Sequence, residues 1–328
     1  MIVTRTPLRI PLGGGGTDLP SFYETYGGDL VTAAIDKYVW ITVNRRFESD
    51  IRVSYSKTEI VDDIDDIEHP IVRESLRLLG LGPGLEIVSV ADIPANTGLG
   101  SSSSFTVGLL HALHTYKREA VGSQQLAEEA FKVEHDILGE PIGKQDQYAA
   151  SYGGIIRMEI DAEGGVAVDR LNIQEHVIQE LENTVCLFYT GIQRSASTVL
   201  AHQEKAIEVG EEIVTQCMQN IKSIGRQIAM SIADGDLYRF GELLDEHWHE
   251  KKKMSSSISS PDIDRWYTVA KDHGAVGGKV MGAGGGGFFM LYVESQNKNQ
   301  LRKSLTDLGL RPIRFAIDYG GSRIVGNF

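Results

Sequence analysis

The stretch Pro94-Ala-Asn-Thr-Gly-Leu-Gly-Ser-Ser-Ser-Ser104 runs directly into an apolar helical pattern from Phe105 to Tyr116. A helix start leaves its first backbone N–H groups unpaired and carries the positive end of the helix dipole, so it attracts anions. Gly98 and Gly100 lack a Cβ and let backbone approach a ligand closely, while Ser101, Ser102, Ser103 and Ser104 add hydroxyl groups. Together these features describe a phosphate cradle. No Gly-Lys-Ser/Thr follows the glycines, so the loop is not of the Walker A type. A flexible Gly/Ser linker fits less well, because Pro94 opens the stretch and an amphipathic helix closes it.

The rest of the composition sets bounds around that loop. A chain of 328 residues can bury a sizeable core and suggests about two domains. It holds 45 acidic against 32 basic residues, a net charge of −13. That balance argues against general affinity for nucleic acid or an anionic membrane, though a local basic pocket is compatible with it. Cys186 and Cys217 make no disulfide framework and no metal-binding pair. The N-terminal segment does not read as a signal peptide, and no run reaches the roughly 18 apolar residues of a membrane span. A soluble cytoplasmic protein is expected.

Along the chain, strands are predicted at Thr32 to Asn44, Asp50 to Tyr55 and Leu85 to Val90, and a hairpin between Gly153 and Leu171. Helices are predicted over His69 to Leu79 and over Gln124 to Leu138, the latter with Ser123 as N-cap and Gly139 as stop. The acidic run Val61 to Glu68 reads as a solvated turn. The second half opens with a long helical region from Arg194 to about Ala233, then helices at Leu237 to Lys253 and Pro261 to His273. Strands follow at Gly287 to Val293, Arg311 to Ala316 and Ser322 to Val325. Without regular βαβ alternation the class is α+β, and the division is placed at 1–183 and 184–328.

Two further glycine-rich segments carry chemistry. In Arg9-Ile-Pro-Leu-Gly-Gly-Gly-Gly-Thr-Asp18, the glycines admit a ligand to the backbone and Asp18 can accept hydrogen bonds from sugar hydroxyls. Lys279-Val-Met-Gly-Ala-Gly-Gly-Gly-Gly-Phe288 superficially resembles a dinucleotide fingerprint, but it leads into the strand-like FFMLYV. A dinucleotide loop must open a helix, so the nicotinamide reading is rejected. The segment is expected to pack under the first loop and shape a cleft. Between them, Glu134 on a helix and Asp146 on the loop after it suit a division of labour, one holding a cation and the other orienting or deprotonating a hydroxyl. His247 and His249, two apart, would face different sides of a helix and read as structural, with Trp248 in the core.

With these three segments in this order over positions 4 to 290, the chain resembles the GHMP kinases. Within that family TPLRIPLGGGGTDLPSFY, AIDKYVWITVN and PIGKQDQYAASYGG look like the D-glycero-α-D-manno-heptose 7-phosphate kinases. Galactokinases carry Gly-Glu-His where this chain has Gly14, Gly15 and Gly16, which argues against galactose; fucose-type kinases also have small residues there. The resemblance implies a ribosomal-protein-S5-like N-terminal domain and a ferredoxin-like C-terminal domain. It implies ATP held by Pro94, Gly98, Leu99, Gly100 and the four serines, and Mg²⁺ held by Ser102 and Glu134. Asp146 would be the catalytic aspartate and Arg9 an active-site cation. Gly15, Gly16, Asp18, Lys144, Gly284 and Gly285 are expected around the acceptor. Arg194 is the leading candidate to grip the acceptor's own phosphate, since arginine suits bidentate phosphate binding. The implied reaction phosphorylates the anomeric hydroxyl of heptose 7-phosphate to the 1,7-bisphosphate. The alternatives are a kinase of an unphosphorylated sugar or a non-catalytic sugar sensor. The expected partners are the two small molecules alone, with a homodimer left open.

Overall fold

The computed structural model describes residues 1–193, 201, 207 and 211–328. Its first half is organised by two long strands, β1 (Ile2–Gly13) and β2 (Gly28–Arg45), paired antiparallel over nearly their whole length and joined through the glycine-rich turn and helix α1 (Pro20–Tyr26). A short hairpin follows, β3 (Ile51–Ser54) with β4 (Thr58–Val61). The acidic run after it makes a single 3₁₀ turn at Ile64–Asp66, capped by the Asp63 side chain. Helix α2 (Pro70–Leu79) has proline in its first turn and closes on left-handed Gly80, the terminus pattern its sequence predicts. Strand β5 (Leu85–Ala91) pairs with β2 and, in parallel, with β3.

Helix α3 (Ser101–Tyr116) then packs on β1 and β2. Helix α4 (Ser123–Phe131) begins one residue after Gly122, and Ser123 makes no side-chain cap. It continues into a π-helical turn at Lys132–Ile137 before left-handed Gly139 ends it. Such turns insert an extra residue and re-aim the side chains around them, often at functional sites. Helix α5 (Gln145–Tyr152) and the hairpin β6 (Ile155–Ile160) and β7 (Val166–Arg170) complete this half. Because β6 pairs with the first part of β2 and β5 with the last, one strand supports two branches of an eight-stranded sheet.

Helix α6 (Glu175–Thr184) leads directly into β8 (Val185–Tyr189), the first strand of a second sheet. Helices α7 (Glu212–Asp234), α8 (Leu237–Met254) and α9 (Pro261–Asp272) separate it from β9 (Ala275–Val280) and β10 (Phe288–Val293). Helix α10 (Lys298–Asp307) and β11 (Arg311–Ile313) follow. The antiparallel order β11-β8-β10-β9 places the four strands in the sequence fourth, first, third, second, which is the ferredoxin-like arrangement. The last strand, β12 (Arg323–Asn327), returns to pair with β1, so a division by sheets is not a clean cut in the chain. The fold is α+β, as expected. Strands β4 and β9 and helices α1, α5, α6 and α10 lie where no element is predicted, so Asp146 sits in a helix and not on the loop expected for it.

Close backbone contacts bring the halves of the cleft together. A Cβ on Gly98 would come within 2.8 Å of the Met281 carbonyl oxygen, and one on Gly282 within 2.9 Å of Gly98 Cα. The third glycine-rich segment therefore packs against the first, as its sequence context suggests, and Phe288 N donates to the Thr97 carbonyl. Helix α8 lies against β9 where Gly241 meets Gly277: a Cβ on Gly277 would come 2.0 Å from the Gly241 carbonyl oxygen.

Candidate active site

A cavity of about 320 Å³ lies where these segments converge. Its phosphate-loop wall is built on backbone geometry. Gly98 and Gly100 have φ of 82° and 75°, and Gly100 occupies the N-cap of α3, a conformation that suits residues without Cβ. A side chain at 100 would also press on Asp146 Oδ2 at 3.1 Å. Gly98, Gly100, Ser101, Ser102 and Ser103 line the cavity. Asn96 lines it too, while other loop residues serve the fold. The Pro94 carbonyl accepts from Thr97 Oγ1, the Leu99 carbonyl accepts from Arg9 N, and buried Ser104 donates to the Pro7 carbonyl at 2.8 Å. Ser104 is thus a tether between α3 and β1, not a nucleotide contact.

The carboxylates expected from the sequence converge here. Asp146, in the first turn of α5, receives Arg9 Nε and Nη2 at 2.7 Å each, a bidentate pair, while Arg9 Nη1 donates to the Gly98 carbonyl at 2.6 Å. Arg9 therefore locks β1, the phosphate loop and α5 in one register. Asp146 stays partly open to the cavity, with 27% of its side chain exposed. Asp18 accepts from Gly16 N and Gln145 N at 2.9 Å, tying the first glycine-rich turn to α5. Burial raises its pKa against the lowering effect of those two N–H groups, and the Asp146 charge raises it further. Gly15 and Gly16 line the same wall.

Glu134 is carried on the π-helical turn and is 2% exposed. It accepts from Ser102 Oγ and Gln147 Nε2 at 2.8 Å. Burial pushes its carboxyl up to about 7, offset in part by its hydrogen bonds. Ser102 and Glu134 thus pair two hard oxygen donors beside the phosphate loop.

Three expectations need correction. Lys144 does not line the cavity; it donates to the Gly164 carbonyl at 2.7 Å, pairs with Glu128 at 3.1 Å and lies over the Phe131 ring. Its ammonium is already neutralised, which leaves it unsuited to a substrate phosphate. Gly284 and Gly285 pack on Ile258, whose carbonyl accepts from Gly285 N, and the cavity is lined instead by Gly282 and Ala283. His247, expected as a structural residue, is buried yet lines the cavity, whereas His249 is exposed beside Asp245, and Trp248 is in the core as expected. Arg194 lies outside the described residues.

The cavity also holds two cations that the sequence reading passed over. Lys251 sits one helical turn after His247 on α8, and Lys279 on β9 opens the third glycine-rich segment; both are buried. Lys251 donates to the Gly282 carbonyl, and burial, with Arg9 nearby, pushes its pKa down to about 8. The i, i+4 spacing of His247 and Lys251 was the available signal, since it places both on one helix face.

The family comparisons agree with this geometry. Residues 70–154 match the GHMP kinases N terminal domain and residues 228–309 the GHMP kinases C terminal domain. The chain is 31% identical over 316 residues to a D-glycero-alpha-D-manno-heptose 7-phosphate kinase of Campylobacter jejuni, covering 93% of each chain. It belongs to the GHMP kinase family. An L-fucokinase/L-fucose-1-P guanylyltransferase of Bacteroides fragilis is 26% identical over 94% of this chain but only 36% of its own length. A crystal structure of a D-glycero-D-manno-heptose 1-phosphate kinase from Bacteroides thetaiotaomicron superposes with a TM-score of 0.83 at 26% identity, each chain covered in full. Like its relatives, this GHMP kinase is an ATP-dependent sugar kinase. Among its described residues, no helix is long and apolar enough to cross a membrane.

Proposed function

We propose that this kinase transfers the γ-phosphoryl group of ATP to the anomeric hydroxyl of D-glycero-D-manno-heptose 7-phosphate, giving the 1,7-bisphosphate. The observation that carries the chemistry is the meeting, in one cavity, of the α3 N-terminus with an aspartate gripped by Arg9. The choice of acceptor is supported by the heptose phosphate kinases among the relatives. The α3 N-terminus and Ser101 to Ser103 hold the triphosphate. Arg9 fixes the orientation of Asp146 through two of its lone pairs, and the others are free to accept the proton of the attacking hydroxyl. Asp18, Gly15 and Gly16 orient the sugar. Ser102 and Glu134 fit Mg²⁺, because they offer adjacent hard oxygens and a buried carboxyl with no cationic partner among the described residues. Bound Mg²⁺ supplies charge neutralisation for the transferring phosphoryl group. The division at 1–183 and 184–328 is supported by the change of sheet after Thr184, and a cytoplasmic setting by two free buried cysteines, Cys186 and Cys217.

Initial rates with ATP and heptose 7-phosphate, fucose, galactose and mannose test this reading. The highest kcat/KM is expected for heptose 7-phosphate, with the product phosphorylated at the anomeric carbon. Preference for any of the unphosphorylated sugars, or ATP turnover with none of them, would overturn it.

A further inference from the structure

The reaction brings two phosphorylated molecules into one cavity, and the cavity presents two separate sets of anion donors. One is the backbone and hydroxyl set of the α3 N-terminus. The other lies on the second sheet and its helix. Along β9, Ala275, Gly277 and Lys279 share one face, because strand side chains alternate. That face receives α8, since Gly277 touches Gly241 and Asp245. The close glycine contact lets the helix run alongside the strand, with His247 and Lys251 following on the same helix into the cavity that Lys279 also lines.

The charge in this corner is left uncompensated. Arg9 spends its charge on Asp146. Among the described residues, the Lys251 ammonium bonds to one carbonyl, that of Gly282. The Lys279 ammonium makes no hydrogen bond or ion pair within the described residues, although the residue is 2% exposed. Both ring nitrogens of His247 are buried without a partner among the described residues. Among the described residues, the charged groups acting on Lys279 are Lys251 and Arg9, which add to burial in pushing its pKa far down. Buried cations are ordinarily paired or bound to a ligand. A dianionic phosphate supplies the missing countercharge and acceptors for all three side chains.

We infer that Lys251 and Lys279, with His247 beside them, bind the acceptor's own phosphate group. This rests on the reading of the acceptor as a sugar phosphate. It assigns substrate selection to the second sheet and leaves the nucleotide to the α3 loop.

Lys251→Met and Lys279→Met test the assignment, with circular dichroism to show that each folds. Each substitution should raise KM for heptose 7-phosphate by about tenfold to a hundredfold, the loss expected for one charge-assisted contact. KM for ATP should stay within about twofold, since the nucleotide has its own donors. The preference for heptose 7-phosphate over the unphosphorylated heptose should shrink by the same factor. A second readout needs no turnover. With a non-hydrolysable ATP analogue saturating the nucleotide site, inorganic phosphate should raise the Tm of the wild type and not that of either variant. If the losses fall on KM for ATP, or if phosphate ceases to act once the analogue is bound, the lysines serve the nucleotide and the inference is overturned. If the wild type prefers heptose 7-phosphate and both variants keep that preference, the assignment of the lysines fails while the proposed reaction stands. If the wild type itself shows no preference for the phosphorylated sugar, the proposed acceptor fails and the assignment with it.

Discussion

Two buried charge clusters in this kinase are built from similar parts and left in opposite states. Asp29, at the start of β2 and 1% exposed, receives Arg157 Nη2 at 2.7 Å and Arg226 Nε at 2.6 Å. Arg226 comes from α7, so the pair of arginines ties the helix to the first sheet beneath the Gly14 turn. Lys251 and Lys279 are buried too, yet no carboxylate among the described residues answers them. A closed cluster fixes where an element sits. An open one costs stability in the empty protein and returns it when an anion arrives. The difference separates scaffold from site more sharply than burial or residue type does.

The Arg9–Asp146 pair stands between these extremes, closed toward the arginine and open toward the cavity, and the largest effect is expected there. Asp146→Asn should lower kcat by about 10²- to 10⁴-fold, the usual worth of a positioned base, with nucleotide affinity nearly intact. Single-turnover rates and equilibrium binding of a labelled nucleotide separate the two. A variant as fast as the wild type removes Asp146 from the chemistry and makes its arginine pair a second scaffold cluster.

Stability tests the contrast itself. Asp29→Ala removes the carboxylate that ties α7 to the first sheet, leaving Arg157 with Glu159 and Arg226 half in water, and should destabilise the protein by about 1.5–3 kcal/mol, the usual worth of hydrogen bonds to a charged group. Lys279→Met removes an uncompensated ammonium and should raise the Tm of the empty enzyme. Chemical denaturation of both variants gives the signs. The same sign at both positions would abolish the distinction between closed and open clusters.

What the sequence disclosed follows the same line. The Pro94 loop was legible because a glycine and serine run met an apolar helix locally. Glu134 and Asp146, twelve positions apart, could be paired from their spacing, but Arg9 and Asp18 could be joined to them only through the family resemblance, since the hydrogen bonds that link them span up to 137 positions. Lys251 opens a run of three lysines on α8, which reads as an ordinary solvated helix end. Its burial is decided by the Gly241–Gly277 contact, a tertiary event with no local signature. Strand β9 escaped for a related reason: Ala275-Val-Gly-Gly-Lys-Val280 has weak strand propensity and owes its conformation to pairing with β10. The π-helical turn under Glu134 is likewise invisible to a period of 3.6, because the extra residue shifts the pattern only within one turn.

That turn gives the subtlest test, because Glu134 can be read as either kind of cluster. Its hydrogen bonds to Ser102 and Gln147 make it look closed, but burial holds its carboxyl near 7, so the fold favours the protonated form. A carboxyl raised in this way contributes stability that is fully present below its ordinary value of 4.5 and is lost as pH rises through about 7. In chelator, the wild type should therefore lose stability across that window relative to Glu134→Gln, whose amide does not titrate. A metal ion needs the carboxylate and displaces the proton, so Mg²⁺ should bind about tenfold tighter per pH unit below 7 and level off above it. Calorimetric titration of Mg²⁺ with a non-hydrolysable ATP analogue present, at several pH values, reads the slope and the proton released. Glu134→Gln should bind more weakly and without the slope. A wild type whose Mg²⁺ affinity ignores pH, together with a variant that follows its stability curve, would place Glu134 with Asp29 among the scaffold charges and move the metal to other ligands.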